Sequence, residues 1–218
     1  MRNWLTFAIA NLFLMNGYAT NKYENRVFAP MINSLQVLLE SDSLSDPILH
    51  NGSDDHIIIG FDQMSHRPHY YSYRLVHCNA DWQKSETLSE IDYMKGFPEN
   101  KLESQYQSTN TTFEYTHYSV TFPNDDIEIL MSGNYAVEIF DSEKIDSVIA
   151  TACFYVSEDE VSVEGEVSSK TPYGVNNAYQ LLNFSVDCSA LQVPDITQQV
   201  RTVVYQNGRL DTKVFNQK

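Results

Sequence analysis

Residues 69–78 read HYYSYRLVHC, and the alternation within them decides the fold class. In an extended chain, successive side chains point to opposite sides, so Tyr71, Tyr73, Leu75 and His77 share one face. Tyr70, Ser72, Arg74, Val76 and Cys78 share the other. A helix would scatter both sets around its circumference. Working outward from this strand, Ile32 to Leu39 alternates at Leu35, Val37 and Leu39, and His56 to Asp62 is a β-branched run behind the turn-rich Asn51 to Asp55. Tyr115 to Phe122, Asn134 to Phe140 and Ser147 to Val156 follow, each bounded by polar or turn residues. Short strands without a regular intervening helix predict an all-β, immunoglobulin-like antiparallel β-sandwich, whose connections are hairpins or Greek-key crossings.

Only Leu88 to Tyr93 has a faintly helical pattern. The polar stretch from there to Tyr115 lacks periodicity and is expected to be a large surface loop. Glu158-Asp159-Glu160 is expected to end the first domain (residues 20–157), and a new alternation starts at Val161, Val163 and Gly165. Ala178 to Val186 and Val200 to Gln206 read as strands. Asn207-Gly208 signals a two-residue hairpin turn with a return strand from Arg209 to Phe215. Residues 158–218 are therefore expected to be a short, incomplete second β unit, with open edges for another chain or the first domain to cover.

The N-terminus predicts a signal peptide over residues 1–19. Arg2 supplies a positive charge, Trp4 to Met15 is mostly apolar, and Gly17-Tyr18-Ala19 places small residues at the −3 and −1 positions. Cleavage leaves 13 Lys and Arg against 29 Asp and Glu, a net charge of −16. That balance argues against nucleic acid and against anionic lipid surfaces, both of which need clustered cations. No later run suits insertion into a membrane. The cysteines Cys78, Cys153 and Cys188 are odd in number and widely spaced, unlike a zinc site or a disulfide framework. Cys78 and Cys153 sit in strand patterns as small hydrophobes, and a bridge between them stays open at this level.

Residues of the types that carry chemistry form no catalytic pattern. His66 and His69 have the spacing of a metal pair, but three residues apart on a strand they face opposite ways. Asp125 and Asp126 after Pro123 lack the alternating carboxylates of a calcium loop. No nucleophile elbow, HExxH or phosphate loop is present. The sequence therefore nominates no catalytic residue, no metal ligand and no cofactor. Two aromatics stand out instead. Trp82 follows the polar turn Asn79-Ala80-Asp81, either folding back to cap the core or standing out as an anchor for a partner. For a capping indole, the N–H needs an acceptor, expected to be the Asp81 carboxylate or a backbone carbonyl. Phe97, within Gly96-Phe97-Pro98, carries the same two readings.

Six blocks in order carry a family resemblance. They are Tyr73 to Trp82, Asp92 to Phe97, Asn110 to Thr112, Tyr115 to Tyr118, Phe122 to Asn124 and Ser132 to Tyr135. In sequence and spacing they resemble the N-terminal domain of type IX secretion system plug proteins, and Gln206 to Arg209 resembles the opening of that family's second domain. The resemblance implies a non-catalytic periplasmic protein, without cofactor, that binds or plugs the outer-membrane translocon from its periplasmic side. The alternative is a secreted carbohydrate- or surface-binding sandwich. Aromatics forming a flat platform on one sheet favour sugar, whereas aromatics on loops at one end favour a protein partner.

Overall fold

Tyr71, Tyr73 and Leu75 are all buried, and the strand that holds them pairs with Gly133–Asp141 on one edge and Asn100–Lys101 on the other. The computed structural model describes residues 22–67, 69–171, 179–207 and 212–215, so the expected signal peptide and Gly208 lie outside it. In chain order the elements begin with β1 (Arg26–Val27), β2 (Ile32–Leu39), β3 (Ile48–His50), β4 (Ile57–Gln63) and β5 (Tyr71–Cys78). A single helical turn α1 (Glu90–Tyr93) precedes β6 (Met94–Gly96), β7 (Asn100–Lys101), β8 (Ser104–Gln107), β9 (Thr116–Phe122) and β10 (Ile127–Ile129). The long β11 (Gly133–Asp141) and β12 (Lys144–Ser157) follow. The second unit holds β13 (Ser162–Ser168), β14 (Leu181–Asp187), α2 (Ile196–Gln199), β15 (Val203–Val204) and β16 (Val214–Phe215).

Two sheets make the sandwich. One has the order β1-β12-β11-β5-β7, with β3 also on β12, and the other has β2-β4-β9-β8. The antiparallel sandwich expected from the sequence is the fold found, with one parallel pairing, β3 on β12. Its core is aromatic. Tyr73 meets Phe122 edge-on at 5.5 Å, Tyr71 meets Phe61 and Tyr118, and Phe154 stacks on Tyr135 at 5.7 Å. Each hydroxyl is satisfied: Tyr71 donates to Gln63, Tyr118 to the His69 carbonyl and Tyr135 to the Met131 carbonyl, while Tyr73 accepts from Asn124. Burying such rings contributes roughly 1.5–3 kcal/mol each, and an unpaired hydroxyl would cancel much of that gain.

His77 lies between Tyr93 and Tyr135 and hydrogen-bonds Ser85 at 2.8 Å. Burial lowers its pKa. Gly133, with φ 146°, lets β11 pass this ring; a Cβ there would lie 2.2 Å from His77 Nε2. That close approach accounts for a glycine in the block Ser132 to Tyr135.

The outer face of the larger sheet carries a smaller core, where Val76, Cys78, Ala136 and Cys153 are covered by Tyr23 and Trp82. Residues 22–27 form a strap across it. Tyr23 donates to Glu138, which also accepts from Arg74, and Asn25 Oδ1 accepts from the Cys153 amide. Because β11 runs between β5 and β12, Cys78 and Cys153 are two strand spacings apart, roughly 9–10 Å. A disulfide needs Cα atoms about 4.4–6.8 Å apart, so strand order excludes the bridge. Both thiols are free, and burial pushes each up to about 12.

One expectation needs correction. The supposed loop between Tyr93 and Tyr115 contains three short strands: β6 pairs with β10, β7 with β5 and β8 with β9. Two to four residues are too few to display a period, and β8 is exposed along its whole length. The expected turn at Asn207-Gly208 and its return strand fall largely on residues 208–211, outside the described residues. On either side of them Val203 pairs with Phe215 and Val204 with Val214. Asn207 adopts φ 55°, and the Gln206 amide donates to the Thr212 side chain.

In the second unit, β13 and β14 form an antiparallel pair. Directly opposite residues share a face, so Val163, Gly165 and Val167 with Val186, Phe184 and Leu182 make an apolar side. Glu164 and Glu166 with Ser185 and Asn183 make the polar side. Val163 and Val167 are largely exposed.

Candidate functional site

The residues around Trp82 are built by Asn79. Its Oδ1 accepts from the amides of Asp81 at 2.9 Å and Gln83 at 3.1 Å, while its carbonyl accepts from the Trp82 amide at 2.9 Å. Asn134 Nδ2 donates to the same carbonyl. This over-determined turn holds Trp82 at φ 62°, a left-handed conformation that costs a bulky L-residue about 1–2 kcal/mol. The Trp82 carbonyl is fixed in turn by the Tyr23 amide at 2.8 Å.

The half-buried indole rests on the smaller core and meets Tyr155 edge-on at 5.2 Å. The Asp81 carboxylate accepts from Arg201 Nη1 at 3.1 Å, which ties the second unit to the sandwich. A second tie is Tyr205, whose hydroxyl donates to Asp46 Oδ2 at 3.4 Å. Burial raises the Tyr155 hydroxyl above its ordinary value, the neighbouring Tyr205 and Asp46 add to this, and the Trp82 side chain opposes it. Tyr205 is raised by burial and by Asp46.

Trp82, Tyr155 and Tyr205 form a wall shared by two clefts. One, of about 480 Å³, also takes in Tyr23, Asp46 and Lys213. The other, about 550 Å³, is rimmed by Glu158, Asp159 and Glu160. Asp159 is another left-handed residue, at φ 55°, and pairs with His50 at 2.8 Å.

Phe97 is elsewhere, in neither cleft wall. It lies on the β6–β7 connection, 74% exposed, its carbonyl accepting from Asn100 Nδ2 at 2.9 Å. Gly96 before it has φ 137° and passes the Asp126 carbonyl so closely that a Cβ would sit 1.9 Å from the oxygen. The structure thus separates the two aromatics that the sequence singled out. Tyr155 and Tyr205 complete the Trp82 wall and were not nominated, because inside strand-like runs they carry no local signal distinguishing them from core tyrosines.

Further exposed aromatics gather on loops at the other end of the sandwich. β5 runs from Tyr71 to Cys78, beside Trp82, so its first residue is roughly 23 Å from that end. Around the far end stand Phe28, Met31, Tyr70 and Phe113, all exposed. Their loops are joined by the Met64 amide on the Met31 carbonyl, His66 on Ser108 at 3.0 Å and the Ser142 amide on the Tyr70 carbonyl.

Among the described residues, no three His, Cys, Asp or Glu side chains converge as a metal site, and no helix is long and apolar enough to cross a membrane. The histidines of the sandwich are engaged with neighbours: His117 with Asp62 at 2.7 Å, His56 with Glu40 at 3.0 Å and His77 as described.

Residues 32–158 match the family model described as the type 9 secretion system plug protein first domain. No curated protein matches. Among solved structures, a hypothetical protein from Parabacteroides merdae is 34% identical with a TM-score of 0.85, covering 89% of this chain and 49% of that one. The chain therefore spans about half the length of that relative. A Niemann-Pick type C2 protein from the Japanese carpenter ant is 12% identical with a TM-score of 0.33, over 62% of this chain and 98% of its own. A DNA-bound alkylpurine DNA glycosylase from Pseudomonas fluorescens is 9% identical with a TM-score of 0.28, over 57% and 29%. Neither of these last two bears on fold or function. With its family blocks lying in β5, the β6 region, β9 and β11 of one sandwich, the chain belongs to the type IX secretion system plug protein family, and residues 32–158 are that family's first domain.

Proposed function

We propose that this protein is a non-catalytic periplasmic component that binds or plugs the outer-membrane translocon of type IX secretion. The observation that carries this reading is the family match over residues 32–158, which covers nearly all of the sandwich. The distribution of exposed aromatics supports a protein partner over a sugar: Phe28, Tyr70 and Phe113 stand on loops at one end. Among the described exposed aromatics, Tyr106 alone lies on a strand of a sheet face, tilted against His117 at 4.9 Å rather than in a row of rings. The loops of that end, residues 28–31, 64–70, 108–115 and 142–143, carry three charged residues, Arg67, Glu114 and Glu143. Exposed aromatics gathered on loops suit the anchors of a protein interface.

Affinity isolation of the tagged chain from solubilised outer membranes, followed by mass spectrometry, tests the proposal. A large β-barrel translocon subunit is expected in the eluate, and Tyr70→Ser with Phe113→Ser should lower its recovery about tenfold without moving the unfolding midpoint. Recovery of no envelope protein above an untagged control would refute it.

A further inference from the structure

The wall of Trp82, Tyr155 and Tyr205 borders a cleft of about 550 Å³ whose rim is acidic. Glu158, Asp159 and Glu160 stand against the single cation Lys213 among its lining residues. Aromatic faces attract cations through their quadrupole, and carboxylates at the mouth add a charge-assisted bond to the cation's head. A Lys or Arg side chain fits both demands, because its aliphatic stem covers apolar wall while its head stays at the wet rim. The chain contains its own example next door, since Asp81 already holds the Arg201 guanidinium at 3.1 Å. Glu158 is partly engaged by the Ser132 amide at 3.1 Å and Asp159 by His50, which leaves Glu160, for which the structure shows no such partner, facing solvent beside the wall.

We infer that this cleft docks a Lys- or Arg-bearing segment of a protein partner. The excess of acid over base gives the choice of charge, and the size and openness of the cleft suit an extended peptide better than a lone ion. The inference stands apart from the secretion reading, which concerns the opposite end of the sandwich, so either can fail without the other.

The chain holds two tryptophans, Trp4 and Trp82. In protein beginning at Thr20, Trp82 is therefore the sole fluorescent indole, and it lies in the wall itself. Titration with a hexa-arginine peptide should change its emission saturably and weaken with added salt. Asp159→Asn with Glu160→Gln should raise the half-saturation point about fivefold, as two partly exposed charge contacts allow. Glu164→Gln with Glu166→Gln, the same charge change on the polar side of β13, should shift it less than about twofold. An absent or non-saturating response overturns the inference. So does an equal response to hexaglutamate or to a neutral oligosaccharide, or an equal loss in the β13 variant, which would indicate diffuse attraction to an acidic chain.

Discussion

Trp82 occupies a backbone conformation that its side chain disfavours, and its surroundings offset the cost. The Asn79 turn, the Tyr23 amide and the Tyr155 ring each fix one part of it. Two substitutions separate the side chain's contribution from the backbone's. Full burial of an indole is worth about 3–5 kcal/mol on truncation, so for this half-buried ring Trp82→Ala should cost about 2 kcal/mol. Trp82→Gly should be more stable than Trp82→Ala by about 1 kcal/mol, because glycine accepts φ 62° without strain. Urea midpoints of the three proteins check both differences, and glycine falling below alanine would show that the turn is not strained. The chain reversal at Asn79 to Asp81 was readable from residue types alone. The acceptor was not: Asp81 is taken by Arg201, 120 residues away in sequence, and nothing near either residue announces that pairing.

At the scale of elements, legibility followed length. β2, β5, β9, β11 and β12 are seven residues or longer and appear within a few residues of where alternation puts them. β1 and β3 hold two and three residues, too few for a period to show. Yet both guard the outer edge of β12: β1 pairs antiparallel at Ala150 and Thr151, and β3 parallel at Tyr155 to Ser157. Without them a long strand would present open donors and acceptors to other chains. The β1 strap lies outside residues 32–158, although it completes the packing over Cys78 and Cys153. A fragment of residues 22–158 should therefore unfold cooperatively, with both thiols unreactive until it does. One of residues 32–158 should lose about 2–4 kcal/mol through the missing Tyr23 burial and hydrogen bonds. Its two thiols should react at least tenfold faster with a disulfide reagent. Matching midpoints and equal thiol protection would show the strap to be dispensable.

The whole molecule presents two unlike ends. One carries the Trp82 wall, the acidic rim and the second unit, whose apolar β13–β14 face is largely exposed. The other carries exposed aromatics on loops. The sandwich and the family were legible in the sequence because core alternation and block order are local records of the fold. The grouping of Phe28, Tyr70 and Phe113 was not, since strand pairing alone brings those three loops together. The central claim, that this sandwich engages the type IX translocon, is tested most directly by a photo-crosslinking residue placed at position 113 in cells carrying the secretion system. Placement at position 58, on the outer face of β4, serves as the comparison. The account predicts a covalent adduct with an outer-membrane translocon subunit from position 113, and at most a trace from position 58. Equal adducts from both positions, or none from position 113 in cells where the chain reaches the periplasm, would contradict it.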